Sequence, residues 1–255
     1  MAKLRVLDLF SGLGGFSVGL ERAGGFETIA FVENNEPAQK ILARHWPGVP
    51  CLGDVSAAEF PDADIITAGF PCQDISLAGR GAGLAGARSG LFWEVVRAIR
   101  VVRPVYVLLE NVAALLGRGM GTVAGALAES GYDAEWDCIP AASVGAPHIR
   151  DRAWVVAYPS SGKRRSILVA CDRLAWRDTL PQRKEGSGAP EGLLEAAWGD
   201  DAVMVADTLS RMDDGVRFRL DGYNRCANAV VPQIPEMIGR AILAAEAART
   251  QEPAR

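Results

Sequence analysis

Short, nearly continuous apolar runs recur along this chain, and most of them end in an acid, a cysteine or a glycine-rich turn. Arg5 to Phe10 runs into Ser11-Gly12-Leu13-Gly14-Gly15, and Glu27 to Val32 ends in Glu33-Asn34-Asn35. A short segment closing at Asp54 reads as a third strand, and Asp64 to Ala68 leads into Gly69-Phe70-Pro71-Cys72. Val105 to Leu109 ends in Glu110, and Tyr132 to Ile139 and Ala153 to Tyr158 are two further runs. Between them, Phe16 to Ala23, the stretch after Asn35 with Pro37 in its first turn, Leu91 to Arg100 and Thr122 to Ser130 have helical spacing. Apolar strands alternating with helices predict an α/β fold, a largely parallel sheet with helices on both faces. Such sheets bind ligands beyond the carboxyl ends of their strands. Asp8 with the glycine loop, Glu33, Asp54, Cys72 and Glu110 all fall there.

The pattern breaks from Pro159 to about Tyr223, where Pro, Gly, Ser and Arg become common, and regularity returns with a helix over Pro232 to Glu246. The expected division is residues 1–158, a small insert at 159–223, and a returning segment at 224–255. The five cysteines are widely spaced with no Cys-x-x-Cys pair, and there are only two histidines, so neither a disulfide framework nor a metal site is expected. No run is long enough to span a bilayer and no signal-peptide pattern opens the chain, so a soluble intracellular protein is the expectation. A net charge of −4 is not that of a protein coating nucleic acid non-specifically, although a local basic face remains compatible with it.

Several residues have a chemical reading beside a structural one. The glycine loop lets backbone approach a ligand and opens a helix amino terminus, but it is not Gly-x-Gly-x-x-Gly, and a tight structural turn explains it about as well. Glu33 is placed to bind two ribose hydroxyls and Asp54 to accept from an adenine amino group; together they suggest an adenosine-containing cofactor. Cys72 follows a proline at a strand end and precedes the glycine-rich run Gly79 to Gly90, which reads as a lid; it is either a nucleophile or an inert buried thiol. Glu110 is either a partly desolvated acid able to donate to a ring nitrogen or a capping carboxylate before Val112. Arg150 and Arg152 alternate with Asp151, so both lie on one side of an extended backbone and one can reach a substrate carbonyl; a surface ion pair is the competing reading.

Taken in order, "DLFSGLGGF", "GFPCQDIS", "ENV" at 110–112, "GAPHIRDR" at 145–152 and "NAVVPQ" at 228–233 closely resemble the DNA (cytosine-5)-methyltransferase family. The resemblance covers nearly the whole chain outside the insert. It implies a Rossmann-like sheet dependent on S-adenosylmethionine, which is released as S-adenosylhomocysteine. Phe10, Gly12, Gly14 and Gly15 would cradle that cofactor, Glu33 would hold its ribose, and Asn34, Asp54, Val55, Pro71, Asn228 and Val230 would complete the pocket. Cys72 would attack carbon 6 of a cytosine flipped out of double-stranded DNA, Glu110 would bind ring nitrogen 3, and Arg152 and Arg150 would hold the carbonyl at position 2. The insert becomes a small DNA target-recognition region, with Gln73, Ser76, Arg80, Arg88, Lys163, Arg164, Arg165, Arg217 and Arg219 as DNA contacts. A monomeric, cytoplasmic bacterial or phage enzyme, working with or without a cognate restriction endonuclease, follows from the same likeness. His148 and Ala227 depart from the family's usual glutamine and glycine. Two alternatives stay open: a tRNA cytosine-5 methyltransferase, whose usual Cys-Phe-Thr motif is missing here, and a catalytically idle DNA-binding homologue.

Overall fold

The computed structural model describes residues 2–71, 90–144, 151–161, 166–168, 171 and 229–251. In chain order the described elements are β1 (Leu4–Leu9), α1 (Gly15–Arg22), β2 (Phe26–Val32), α2 (Glu36–His45), β3 (Ile65–Gly69), α3 (Leu91–Val102), β4 (Tyr106–Val112), α4 (Leu115–Arg118), α5 (Met120–Glu129), β5 (Tyr132–Pro140), a 3-10 turn (Ala141–Val144), β6 (Asp151–Pro159) and α6 (Gln233–Gln251). The six strands form one sheet in the order β2-β1-β3-β4-β6-β5. β2, β1, β3 and β4 run parallel, whereas β6 is antiparallel to both of its neighbours.

Both faces of the sheet are covered, which is why its central strands read as unbroken apolar runs. Leu7, Leu9, Ile66, Ala68, Val107 and Leu109 point to one face and pack on Val95, Val96 and Ile99 of α3 and on Val123 and Leu127 of α5. Val6, Ile65, Leu108 and Val156 point to the other, against Phe16 and Leu20 of α1 and Ile234, Ile238 and Ile242 of α6. Alternation then fixes where the polar residues go. Asp8, Thr67, Gly69 and Glu110 have the parity of the second face, so they gather near the carboxyl ends of β1, β3 and β4, on the side covered by α1 and α6.

The strand expected to close at Asp54 does not form. Cys51 makes a single bridge with Phe31, and the chain then turns. Gly48 and Gly53, with φ of 91° and 69°, turn the chain on either side of the bridge and end its extended run there. No helix among the described residues is long and apolar enough to cross a membrane.

Candidate active site

The loop after β1 is built to hold an unusual backbone in place. Phe10 has φ of 53°, a left-handed conformation that a bulky side chain rarely adopts, and Gly12 follows with φ of 54°. The Ser11 hydroxyl donates to the Asp8 carbonyl at 2.6 Å, and the Gly14 amide donates to the Ser11 carbonyl at 2.8 Å, closing the turn on itself. Gly14 and Gly15 are close-packing positions. A Cβ on Gly14 would stand 2.7 Å from the Trp46 ring, and one on Gly15 would stand 2.5 Å from the Val230 carbonyl oxygen. Trp46 is itself held by its indole N–H, which donates to the Glu21 carboxylate at 2.9 Å.

Below this loop Asp8 is fully buried. Its carboxylate accepts from the Thr67 hydroxyl at 2.6 Å and from the Ser17 hydroxyl at 2.9 Å, tying β1 to β3 and to α1. Desolvation outweighs those hydrogen bonds and raises its pKa from 3.8 to about 7.

Above the sheet a cavity of about 260 Å³ is walled by Phe10, Ser11, Gly12 and Leu13 from the loop, by Glu33, Asn35 and Ala38 from the end of β2 and the start of α2, and by Gly69, Glu110, Ala229 and Val230. Glu33 is held by main chain: its two carboxylate oxygens accept from the amides of Gly12 and Asn35, each at 2.8 Å. A carboxylate offers about four acceptor positions, so Glu33 retains capacity for two hydroxyls. Asn35 also caps α2, its side chain accepting from the Ala38 amide at 3.1 Å.

At the far wall, Glu110 sits on β4, which continues through Val112, so the capping alternative does not hold. Its carboxylate is paired with Arg152, Oε1 to Nε at 2.9 Å, with both side chains largely buried. The pairing follows from the antiparallel register: Glu110 faces Trp154 and Val112 faces Arg152, which makes Glu110 and Arg152 diagonal neighbours on one face. Arg152 Nη1 also donates to the Asp151 carbonyl at 3.0 Å, so the arginine is a partner of Glu110 rather than of the Asp151 carboxylate. Asn111 points the other way and donates from Nδ2 to the Phe70 carbonyl at 2.9 Å, fixing the backbone just before Pro71.

Of the residues read from sequence, the structure brings Phe10, Gly12, Glu33, Val230 and Glu110 to one cavity and sets Arg152 on Glu110. Asn34 is exposed, Val55 is buried in the core, and Pro71 is exposed. Asp54 is exposed too. Its carboxylate accepts from the Ser56 amide and hydroxyl, at 2.9 and 2.8 Å, and these bonds hold its pKa below the ordinary value. The segment after it is clamped by Arg97, whose Nη2 donates to the Val55 carbonyl at 2.6 Å. Cys72, Gln73, Ser76, Arg80, Arg88, Arg150, Lys163, Arg164, Arg165, Arg217, Arg219 and Asn228 lie outside the described residues. Leu13 lies within the Gly12–Gly15 loop expected to cradle the cofactor; not expected from sequence were Ser11, Asn35, Ala38, Gly69 and Ala229 in the wall, and the Asn111 clamp. For Asn35 a signal existed: Asn followed by Glu-Pro is a helix-start pattern, which favours position 35 over 34 as the ordered asparagine.

The residues present suit an adenosyl cofactor. An acid with free acceptor capacity stands beside a strained loop, and the same cavity ends at a paired carboxylate. A family model described as C-5 cytosine-specific DNA methylase matches residues 4–182. Type II methyltransferase M2.BsuMI of Bacillus subtilis (strain 168) is 36% identical over 163 residues, covering 60% of this chain and 42% of that protein. Type II methyltransferase M.CviJI of Paramecium bursaria Chlorella virus IL3A is 36% identical over 185 residues, covering 69% and 50%. The chain thus spans about half the length of these relatives. The fold is that of the S. pombe Dnmt2 methyltransferase crystal structure, with a TM-score of 0.68 at 15% identity, covering 95% of this chain and 99% of that one.

Proposed function

The chain belongs to the C-5 cytosine-specific DNA methylases, and from that membership we propose that it methylates carbon 5 of a cytosine flipped out of a specific double-stranded DNA sequence, through a covalent bond to Cys72. The observation that carries the proposal is that one cavity joins Glu33, an acid with acceptor capacity for two hydroxyls, to Glu110, an acid paired with Arg152.

Phe10, Gly12, Glu33 and Val230 would hold S-adenosylmethionine, with Glu33 accepting from the ribose hydroxyls. When bound, this cofactor supplies the methyl group and departs as S-adenosylhomocysteine. The chain's own residues make the ring receptive. Cys72 lies three residues beyond Gly69, which is in register with Glu110. As thiolate it adds to carbon 6 of the ring, breaking conjugation and moving electron density to carbon 5. Glu110 shares a proton with ring nitrogen 3, and Arg152 donates to the carbonyl oxygen at position 2. Both stabilise the charge that develops when the thiolate adds. Two of the five guanidinium donors are engaged, by Glu110 and by the Asp151 carbonyl, which leaves others for a substrate oxygen. Once carbon 5 carries the methyl, a base removes its hydrogen, the carbon–sulfur bond breaks, and the cysteine leaves as thiolate. Carbon 6 is shielded within a duplex, so the cytosine must leave the stack.

Gln73, Ser76, Arg80, Arg88, Lys163, Arg164, Arg165, Arg217 and Arg219 are proposed DNA contacts, and the 159–223 region is proposed to read the target sequence. A monomer acting in the cytoplasm beside an endonuclease of matching specificity is the corresponding biological setting. Transfer of labelled methyl to double-stranded DNA and to tRNA, with Cys72→Ser alongside, tests this. DNA labelling that disappears in the variant is expected. Labelling of tRNA alone would assign the other substrate, and no labelling of either would leave an idle homologue.

A further inference from the structure

We propose that Gly69 is a positioning residue that gauges the transferable methyl: its missing side chain leaves, between the Glu110 carboxylate and Val230, the space into which the methyl of the bound donor projects. The inference deepens, and rests on, the cofactor reading above.

Two glycines among the described residues line the cavity, and they are glycines for different reasons. Gly12 has φ of 54°, a conformation L side chains rarely adopt, so its backbone alone explains it. Gly69 ends β3 in ordinary extended conformation and is not among the positive-φ glycines. Close packing does not explain it either. A Cβ built there would lie 3.6 Å from Glu110 Oε2, 3.8 Å from Val230 Cγ2 and 3.9 Å from Phe16 Cε2, all ordinary contact distances. By contrast, a Cβ on Gly15 would collide with the Val230 main chain. Among the described residues neither strain nor crowding requires glycine at 69, and strands lose stability by having one.

The cavity supplies the missing reason. The Cβ would point into it, because Glu110 and Val230, the two groups it approaches most closely, are both cavity wall. Glu33 marks the ribose end of that cavity and Glu110 the base end, so the reacting group of the donor belongs near Glu110. An alanine at 69 adds one methyl-sized group at that end. It would displace a donor carrying a methyl there and leave room for the same molecule after the methyl has gone.

The test is calorimetric titration of the full chain, as wild type, Gly69→Ala and Gly69→Ser, with S-adenosylmethionine and with S-adenosylhomocysteine. Overpacking a formed site by one carbon costs enough to shift affinity by about tenfold. The ratio of the two affinities should therefore move about tenfold against the methylated form in the alanine variant, and further in the serine variant. Affinity for S-adenosylhomocysteine and the ligand-free melting temperature should change little. An unchanged ratio in both variants overturns the proposal while leaving the cofactor reading intact. So does a loss confined to DNA affinity, which would assign the space to the base. A ligand-free melting temperature lowered by many degrees would show the space already filled, and also overturns it. Failure of the wild type to bind either form removes the cofactor reading, and this inference with it.

Discussion

Two carboxylates wall the same cavity and are held in opposite ways. Glu33 is gripped by main-chain amides, from Gly12 across the strand boundary and from Asn35 two residues on. Glu110 is held by a side chain, the Arg152 guanidinium, arriving on a strand that runs against its neighbours. The first arrangement suits binding: backbone donors fix a carboxylate with no further charge to neutralise, leaving acceptors for neutral hydroxyls. The second suits chemistry, because a largely buried ion pair sets strong, directed charge where a ring changes its own. In the proposed function the parallel half of the sheet makes the binding end and the antiparallel β6 the reacting end, since only a reversed strand brings its first residues to the carboxyl end of β4.

The sharpest way to break that contrast is to remove one carboxylate at a time. Glu110→Gln should lower kcat by about a thousandfold while the affinity for S-adenosylmethionine stays within about twofold of wild type; single-turnover rates and calorimetry measure the two. A large loss of cofactor affinity instead would erase the division of labour.

A third carboxylate sharpens the comparison because it belongs to neither role. Asp8 sits under the loop with its pKa raised from 3.8 to about 7, chiefly by desolvation. The folded chain therefore holds this proton more tightly than the unfolded one. Its stabilising contribution is complete below about pH 4 and is lost as pH rises through about 7. The cost between pH 5 and pH 8 is of the order of 2–3 kcal/mol. Denaturant midpoints of wild type against Asp8→Asn should differ in slope over that range, with the wild type falling more steeply as pH rises. Parallel curves would mean that the proton is not held.

Smaller again is the effect of Glu33→Ala. Loss of its hydrogen bonds to a hydroxylated ligand should weaken S-adenosylmethionine binding by about thirtyfold, with kcat at saturation changed only a few-fold. A kcat loss equal to that of Glu110→Gln would show that the two acids are not separable. Asn111→Ala should be mildest in binding. It frees the buried Phe70 carbonyl, costing about 1–3 kcal/mol of stability, and it lowers kcat without altering cofactor affinity, because Phe70 leads into Pro71 and Cys72.

How much of this was legible in the sequence differs between the two ends. The binding end is local. β1, its glycine loop, β2 and Glu33 follow one another within thirty or so residues, and apolar runs ending in a loop or an acid reveal them directly. The reacting end depends on topology. Glu110 and Arg152 are far apart in sequence, and nothing in either run says that β6 enters between β4 and β5 in reverse. The sequence reading kept a surface ion pair open for Arg152, and only the register resolves it in favour of Glu110. The strand expected at Asp54 failed for a local reason that the sequence did contain: Pro50 and Gly53 interrupt the run, and Asp-Val-Ser is a turn pattern in which the aspartate accepts from the residue two on. Gly69 was invisible because glycine at the end of a strand usually means a turn, and only the ordinary contacts that a Cβ there would make with Glu110, Val230 and Phe16 show otherwise.

The covalent step is tested most directly by incubating the protein and S-adenosylmethionine with duplex DNA in which the target cytosine carries fluorine at carbon 5, then denaturing. Fluorine cannot be removed as a proton, so the thiolate cannot be released, and a protein–DNA adduct that survives denaturation is expected for the wild type and absent for Cys72→Ser. Methylation of ordinary DNA with no adduct on the fluorinated strand, or an adduct that persists in the variant, would contradict it.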